Sequence, residues 1–326
     1  MDILITEAFD DPAIDKLDDD HDVVREPEAF RDPTRLKELI ADAQTIIVRN
    51  QTQLTAEVLE SAPRLIGIGR MGVGLDNIDV AKASELGIVV VAPLDANSTS
   101  VAEMTLALML GLARKVPESD RKTRSGGWDR KGGTGVALSG KTIAICGFGR
   151  IGRKVAHLAR AFGMKIVVSD PFVEAGSPAL AEFDAELCAA LEEALAQADY
   201  ITAHSPLTPE TRHMFNAESL AATKPGAFFI NTSRGGIVDE GALFESLQNG
   251  HLGGAALDVR KKEPPGVPGD LESLDNVILL PHVGGWTREA LSRTHEAVAT
   301  DLESLLKGGE ARNYVNQRSP TRQTEG

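Results

Sequence analysis

The sequence predicts an α/β protein of two doubly wound parallel-sheet domains, one inserted into the other. Three observations carry that expectation. Short apolar runs alternate with helical patterns along the whole chain, as parallel strands joined by crossover helices require. The runs form two sets, parted by a helical stretch at 98–115 and a Gly/Arg/Lys-rich segment at 121–135. The second set opens on a glycine-rich turn between a strand and a helix. At 326 residues the chain can hold two domains of ordinary size.

The first set predicts strands at Ile3–Ile5, Val23–Arg25, Thr45–Val48, 65–68 and 88–91. Each run is too short for a helix and is closed by polar or turn residues. An acid follows Met1 at once, so the N-terminus reads as a strand and not as a signal peptide. Stretch 98–115 predicts a helix, and 121–135 an extended arm. The second set predicts strands at Thr142–Cys146, Lys165–Ser169, Tyr200–Ala203, 227–231, 255–259 and 277–280. A last helix, 287–307, is expected to return to the first domain. The expected division is therefore 1–97 with 287–318 for one domain and 98–286 for the other. The polar tail at 319–326 is expected to be disordered.

Composition narrows the class. A hydrophobic content of 42% suits a packed globular protein, and a net charge of −14 argues against nucleic acid as a partner. The acids are spread, apart from a cluster at 10–22 that reads as a solvated surface. Two cysteines, Cys146 and Cys188, form neither a disulfide framework nor a CxxC metal pattern. The most apolar stretch, 105–113, is too short to span a bilayer. The expectation is a soluble cytoplasmic protein without a metal and without membrane or nucleic-acid partners.

The glycine turn is Gly147-Phe148-Gly149-Arg150-Ile151-Gly152, with Asp170 eighteen residues after its last glycine. Gly147 permits the turn, Gly149 lets backbone N–H groups approach a pyrophosphate, and Gly152 lets the helix pack on the strand. The diphosphate would sit at the helix N-terminus, where free N–H groups and the dipole favour negative charge. Asp170 ends the second strand and would accept from both ribose hydroxyls. Its charge would repel a 2′-phosphate, which points to NAD over NADP.

Three polar groups follow three strand ends of the same domain: Arg234, Glu263 and His282. In an open parallel sheet ligands bind beyond the carboxyl ends of the strands, the edge that carries the glycine turn. The types suit hydride chemistry. A histidine can take the hydroxyl proton of an alcohol, and a carboxylate on its far nitrogen would fix the tautomer and favour the imidazolium. An arginine can hold a substrate carboxylate and polarise the adjacent carbonyl. Alone, each has an ordinary reading as a surface charge or loop acid; together, in register with a dinucleotide site, they read as a catalytic set. His21, His157, His213, His251 and His295 read as surface or satisfied helix residues, and His204, at a strand end, could line an adenosine pocket.

Longer motifs then become recognisable. Arg70-Met71-Gly72-Val73-Gly74-Leu75-Asp76-Asn77-Ile78-Asp79, Asn97-Ser98-Thr99-Ser100-Val101-Ala102-Glu103 and Gly235-Gly236-Ile237-Val238-Asp239-Glu240 stand in order around the glycine turn and the polar trio. From Ile3 to about Asn316 the chain resembles the D-isomer-specific 2-hydroxyacid dehydrogenase family. The resemblance implies a Rossmann NAD-binding domain inserted in a flavodoxin-like substrate domain. It implies that His282 is the acid/base, Glu263 its partner and Arg234 the substrate clamp. It implies cofactor contacts from Gly147, Gly149, Arg150, Ile151, Gly152, Asp170, Ser205, Pro206, Thr232, Asp258 and Gly285. Substrate contacts would come from Met71, Gly72, Val73 and Gly74, with their backbone amides, and from Arg234 and His282. The 98–115 helix and the arm would form a homodimer interface.

Within the family the chain is similar to the 3-phosphoglycerate dehydrogenase branch. Arg49, followed by Asn50, and Arg130, reaching in from a second subunit, stand where that branch holds the substrate's phosphate. Two guanidinium groups suit a dianionic C3 substituent, phosphate or sulfonate. Departures keep the substrate open. Arg260 replaces the aromatic residue usual after Asp-Val, Trp286 replaces a small residue, and no serine-sensing domain follows, so feedback of that kind is not expected. The expected function is NAD-dependent hydride transfer with a small D-2-hydroxy acid carrying an anionic C3 group. The alternatives are a glyoxylate or hydroxypyruvate reductase and a non-catalytic NAD(H)-sensing protein like the corepressors of this fold.

Overall fold

In the first set of strands, Ile3–Ile5 (β1), Val23–Arg25 (β2), Thr45–Val48 (β3), Gly67–Arg70 (β4) and Val89–Val91 (β5) form a five-stranded sheet in the order β2-β1-β3-β4-β5. All its pairings are parallel. This is the flavodoxin-like order. Successive residues of β3 feed opposite layers: Ile46 and Val48 enter one apolar cluster and Ile47 the other, as strands covered on both faces must. The computed structural model describes residues 1–9 and 11–322. Asp10, the first acid of the 10–22 cluster, lies outside them.

Seven parallel strands make the second sheet. They are Thr142–Cys146 (β6), Lys165–Ser169 (β7), Ala185–Leu187 (β8), Tyr200–Ala203 (β9), Phe228–Asn231 (β10), Gly254–Leu257 (β11) and Val277–Leu279 (β12). Their order is β12-β11-β10-β9-β6-β7-β8, the Rossmann order with one strand added. Ile143 and Ile145 of β6 pack into one core, Ala144 and Cys146 into the other. The helix Arg150–Ala161 buries Gly152, Val155, Ala156 and Ala159, a stripe of helical period against this sheet.

The chain divides into two compact units, Met1–Asn97 with Trp286–Gly326, and Ser98–Gly285. The last helix, Arg288–Leu306, is capped by Thr287, whose side chain accepts from the Ala290 amide. Its buried Val298 and Leu302 lie over Gly69 of β4, where an added Cβ would meet them at 2.5 and 2.8 Å. Among the described residues no helix is long and apolar enough to cross a membrane.

Three expectations need correction. β8 was not expected from the sequence, for it is a half-exposed edge of three residues with Glu186 at its centre. The segment 121–135 is not extended throughout: residues 121–124 close the helix Val116–Arg124, and turns follow. Of the tail from Ser319, residues 319–322 are placed, with the Thr321 and Arg322 amides donating to the Gly87 carbonyl at 3.1 and 3.4 Å. Residues 323–326 lie outside the described residues.

Candidate active site

The glycine turn sits where the second sheet reverses its strand order, between the ends of β6 and β9. Gly147 has φ 101° and lies against the chain after β9: an added Cβ would meet the His204 carbonyl carbon at 2.8 Å. Gly152 faces the Gly147 carbonyl, where a Cβ would come within 2.2 Å. Gly149, the N-cap residue, has open space where its Cβ would be, with nothing within 4 Å. The first-turn amides of that helix have no acceptor within the helix itself. The turn thus combines tight backbone packing on one side with an open helix N-terminus on the other, the cradle a diphosphate needs.

Asp170 stands one residue past β7. Its Oδ2 accepts from the Phe148 amide at 2.7 Å and its Oδ1 from the Phe172 amide at 2.9 Å. Two backbone donors therefore orient the carboxylate beside the glycine turn, and each oxygen keeps a lone pair for a ribose hydroxyl. Arg150 is exposed, Ile151 packs on the core, Ser205 and Gly285 are half-buried and Pro206 is exposed. Ser205 Oγ donates to the Cys146 carbonyl at the end of β6. Thr232 is buried, its hydroxyl 3.0 Å from that of Thr105 on the helix Ser98–Ala113. His204 is held by its Nε2, 2.7 Å from Thr202 Oγ1, and burial pushes its pKa down to about 3. Here it is a neutral packing group.

The polar trio converges at strand ends of the same sheet. His282 Nδ1 and Glu263 Oε2 are 2.7 Å apart. Glu263 Oε1 accepts from the Arg260 amide at 2.9 Å. Burial raises the Glu263 pKa, but the bonds from His282 and Arg260, with the charges of His282 and Arg234, hold it below the ordinary value. The carboxylate is therefore ionised at neutral pH, and it fixes the proton on Nδ1, leaving Nε2 as the unprotonated nitrogen of the neutral ring. Arg234 follows β10 and is half-buried, with Nη1 donating to its neighbour Ser233's carbonyl at 2.7 Å. Gly235 lies so close to Arg260 that a Cβ would meet its carbonyl carbon at 2.0 Å, which ties the Arg234 loop to the Glu263 loop.

Asp258, expected as a cofactor contact, is 2% exposed. Its Oδ1 accepts from the Val283 amide at 2.8 Å, its Oδ2 from the Gly284 amide at 2.7 Å, and its carbonyl from the His282 amide at 2.8 Å. It anchors the turn that carries His282. That turn holds His282 at φ 59°, a left-handed conformation costly for a non-glycine residue.

In the other unit, the buried Arg70 guanidinium donates to the carbonyls of Met71 and Gly74 at 2.8 and 2.7 Å. Gly72 has φ 150°, and a Cβ there would strike Arg70. Val73 is half-buried and Asn50 exposed, whereas the Met71 side chain lies in the core, its amide donates to the Val48 carbonyl at 2.8 Å and its carbonyl accepts from Arg70, so the substrate contact expected of Met71 is not available. Glu7, missed in the sequence, is 6% exposed and organises 49–52: it accepts from the amides of Arg49, Gln51 and Thr52 and from the Thr52 hydroxyl. Asn77, also missed, donates to the carbonyls of Arg49 and Thr52. Glu7 follows a strand end, the same signal that marks Arg234 and His282. Arg130 is exposed on the arm.

Residues 106–284 match the family described as D-isomer specific 2-hydroxyacid dehydrogenase, NAD binding domain. The chain belongs to that family. It is an oxidoreductase family, and the unit with the glycine turn is its NAD-binding domain. The chain is 43% identical over 316 residues, 96% of its length, to the D-3-phosphoglycerate dehydrogenase of Methanocaldococcus jannaschii, and spans 59% of that relative. Among solved structures it resembles a D-lactate dehydrogenase from Aquifex aeolicus complexed with NAD and lactic acid (TM-score 0.87, 30% identity, 98% of this chain and 100% of that one). It also resembles an NADPH-dependent glyoxylate/hydroxypyruvate reductase from Sinorhizobium meliloti (TM-score 0.87, 30% identity, 99% of both chains).

Proposed function

We propose that the chain interconverts a small D-2-hydroxy acid and its 2-keto acid with NAD, and that the substrate carries an anionic group on C3. The observation that carries this reading is the Glu263–His282 pair, 2.7 Å apart, at the strand ends of the sheet that bears the glycine turn. When bound, NAD supplies the two-electron acceptor. In the oxidation direction His282 Nε2 takes the hydroxyl proton, and in reduction it returns it to the forming alkoxide. Glu263 holds the ring and offsets the imidazolium charge. Arg234 holds the substrate carboxylate and polarises the carbonyl. The amides of Val73 and Gly74 serve the same carboxylate, and Arg49, with Arg130 of a second copy, the C3 group. A homodimer through the helix Ser98–Ala113 and the arm would also cover Trp128, 77% exposed.

Asp170 favours NAD, because a carboxylate held by two amides repels a 2′-phosphate. That weighs against the reductase reading in its NADPH-dependent form. The test is NADH formation by the purified protein against 3-phosphoglycerate, sulfolactate, D-glycerate, D-lactate and D-malate, with NAD and NADP side by side. Turnover of a C3-anionic acid with NAD is expected, and His282→Ala should cut kcat by about 10²-fold or more while NADH still binds. Turnover confined to acids with uncharged tails would remove the role given to Arg49 and Arg130. Silence across the panel, with NADH bound, would favour the sensor.

A further inference from the structure

Arg49 directly follows β3, and its surroundings are built in three layers. Buried Glu7 fixes 49–52 through three bonds from backbone amides and one from the Thr52 hydroxyl, and Asn77 takes up the Arg49 carbonyl at 2.9 Å. The guanidinium carbon then lies 4.9 Å from the centroid of the Phe9 ring and 4.9 Å from that of the Trp286 ring. Both are within cation–π range. Phe9 is itself braced, edge-on at 6.0 Å, by the His295 ring, and His295 Nδ1 stands 2.7 Å from the Asp11 carboxylate. Among the described residues the half-buried guanidinium makes neither a hydrogen bond nor an ion pair. Burial lowers its pKa, and the charge of Glu7 opposes that.

A partly buried guanidinium within 4.9 Å of two aromatic rings has lost part of its water. Its N–H donors lie in its plane and are unspent, and its rotamers are restricted. Those are the conditions for an edge-on, paired-donor grip on a tetrahedral oxyanion. We infer that Phe9 and Trp286 are specificity-determining residues that clamp Arg49 as a receptor for the anionic tail of the substrate. This rests on the C3-anionic reading above. Trp286 is 55% exposed, so its indole is accessible to a ligand as well as to Arg49.

The rings add no bond to the reacting carbon, so they govern binding of the tail and not the chemical step. Trp286→Ser should raise KM for 3-phosphoglycerate or sulfolactate about five- to thirty-fold, the size of one desolvated cation–π contact. Its kcat, and its KM for D-lactate, should stay within about twofold. Trp286→Phe should restore most of the loss. In an Arg49→Gln background, which removes the cation, the Trp286→Ser change should add little, since it acts through that cation. Equal losses for both kinds of acid, or a lower KM for the anionic acid, would overturn the clamp and make the indole a plug or a prop.

A second readout does not depend on turnover. The chain has two tryptophans, so Trp128→Phe leaves Trp286 as the sole indole. Inorganic phosphate or sulfate should change its emission saturably, and Arg49→Gln should abolish that response. An indole silent to both anions overturns the clamp even if 3-phosphoglycerate is turned over. A responsive indole in a protein that turns over no C3-anionic acid overturns the substrate reading and leaves the anion receptor standing.

Discussion

Asp258→Asn separates two roles for one carboxylate. The resemblance to the family assigns Asp258 to the cofactor, whereas its two oxygens accept from the Val283 and Gly284 amides at 2.8 and 2.7 Å and it is 2% exposed. Asparagine keeps the shape and one acceptor but turns the other oxygen into a donor facing an N–H. One charge-assisted bond is lost and one buried amide is left unpaired, a cost of about 2–4 kcal/mol. The strain at His282, φ 59°, is held by this same anchor, so the ring should move. A displacement of about 1 Å costs on the order of 10²-fold in rate. Urea unfolding reads the first effect and steady-state kinetics the second. NADH binding, followed by its fluorescence, should change by less than about threefold. Stability within about 0.5 kcal/mol of the parent would refute the anchoring argument. So would a loss of NADH affinity that matches the loss in kcat, because the carboxylate would then be serving the cofactor.

Two further outcomes follow from single groups. Asp170→Ala should raise kcat/KM with NADP relative to NAD by about 10²-fold, as loss of a like charge worth about 3 kcal/mol implies; an unchanged ratio measured with both cofactors would take selectivity away from Asp170. His204, lowered by burial from the ordinary 6.5 to about 3, is neutral when folded, whereas the unfolded chain binds its proton below 6.5. Stability from this group is therefore complete above that value and is lost as pH falls toward 3, by about 2 kcal/mol between pH 7.5 and 5. His204→Asn should remove that share of the acid loss in unfolding titrations, and parallel curves for the two proteins would contradict it.

The sheets were legible because both faces of their strands are buried. Runs such as Thr142–Cys146 and Tyr200–Ala203 leave no polar face to blur the signal, and their observed bounds coincide with the runs. β8 is the opposite case, an edge strand of Ala185, Glu186 and Leu187 with nothing to bury on one side. Residues 121–124 were obscured by their charge. The pairs Glu118–Lys122 and Asp120–Arg124, at helical spacing, stabilise a turn that glycine and arginine content alone suggests is extended. Glu263 and His282 could be found by the rule that ligands gather at strand ends. The same rule could not tell that Asp258 turns inward to loop amides, since that depends on how 282–284 fold back. Nor does sequence spacing join Glu7 to 49–52. Only the sheet order, which lays β1 beside β3, does so.

Arg260 bears on whether the site is built for chemistry or for binding alone. Its guanidinium reaches Glu240 at 3.2 Å and Glu272 at 2.5 Å, and burial of this cation is offset by those two carboxylates. Such a network adds little net stability, because desolvation consumes most of the attraction. What it provides is position. The Glu240 carboxylate also accepts from the Lys261 amide, so the segment 260–261 is pinned from both sides. The Arg260 amide, thus fixed, holds Glu263 on His282. Binding a dinucleotide requires the glycine turn and Asp170, and neither touches this network. A carboxylate fixed to the far nitrogen of a half-exposed imidazole is what the proposed proton transfer calls for, whereas binding a dinucleotide alone does not require it.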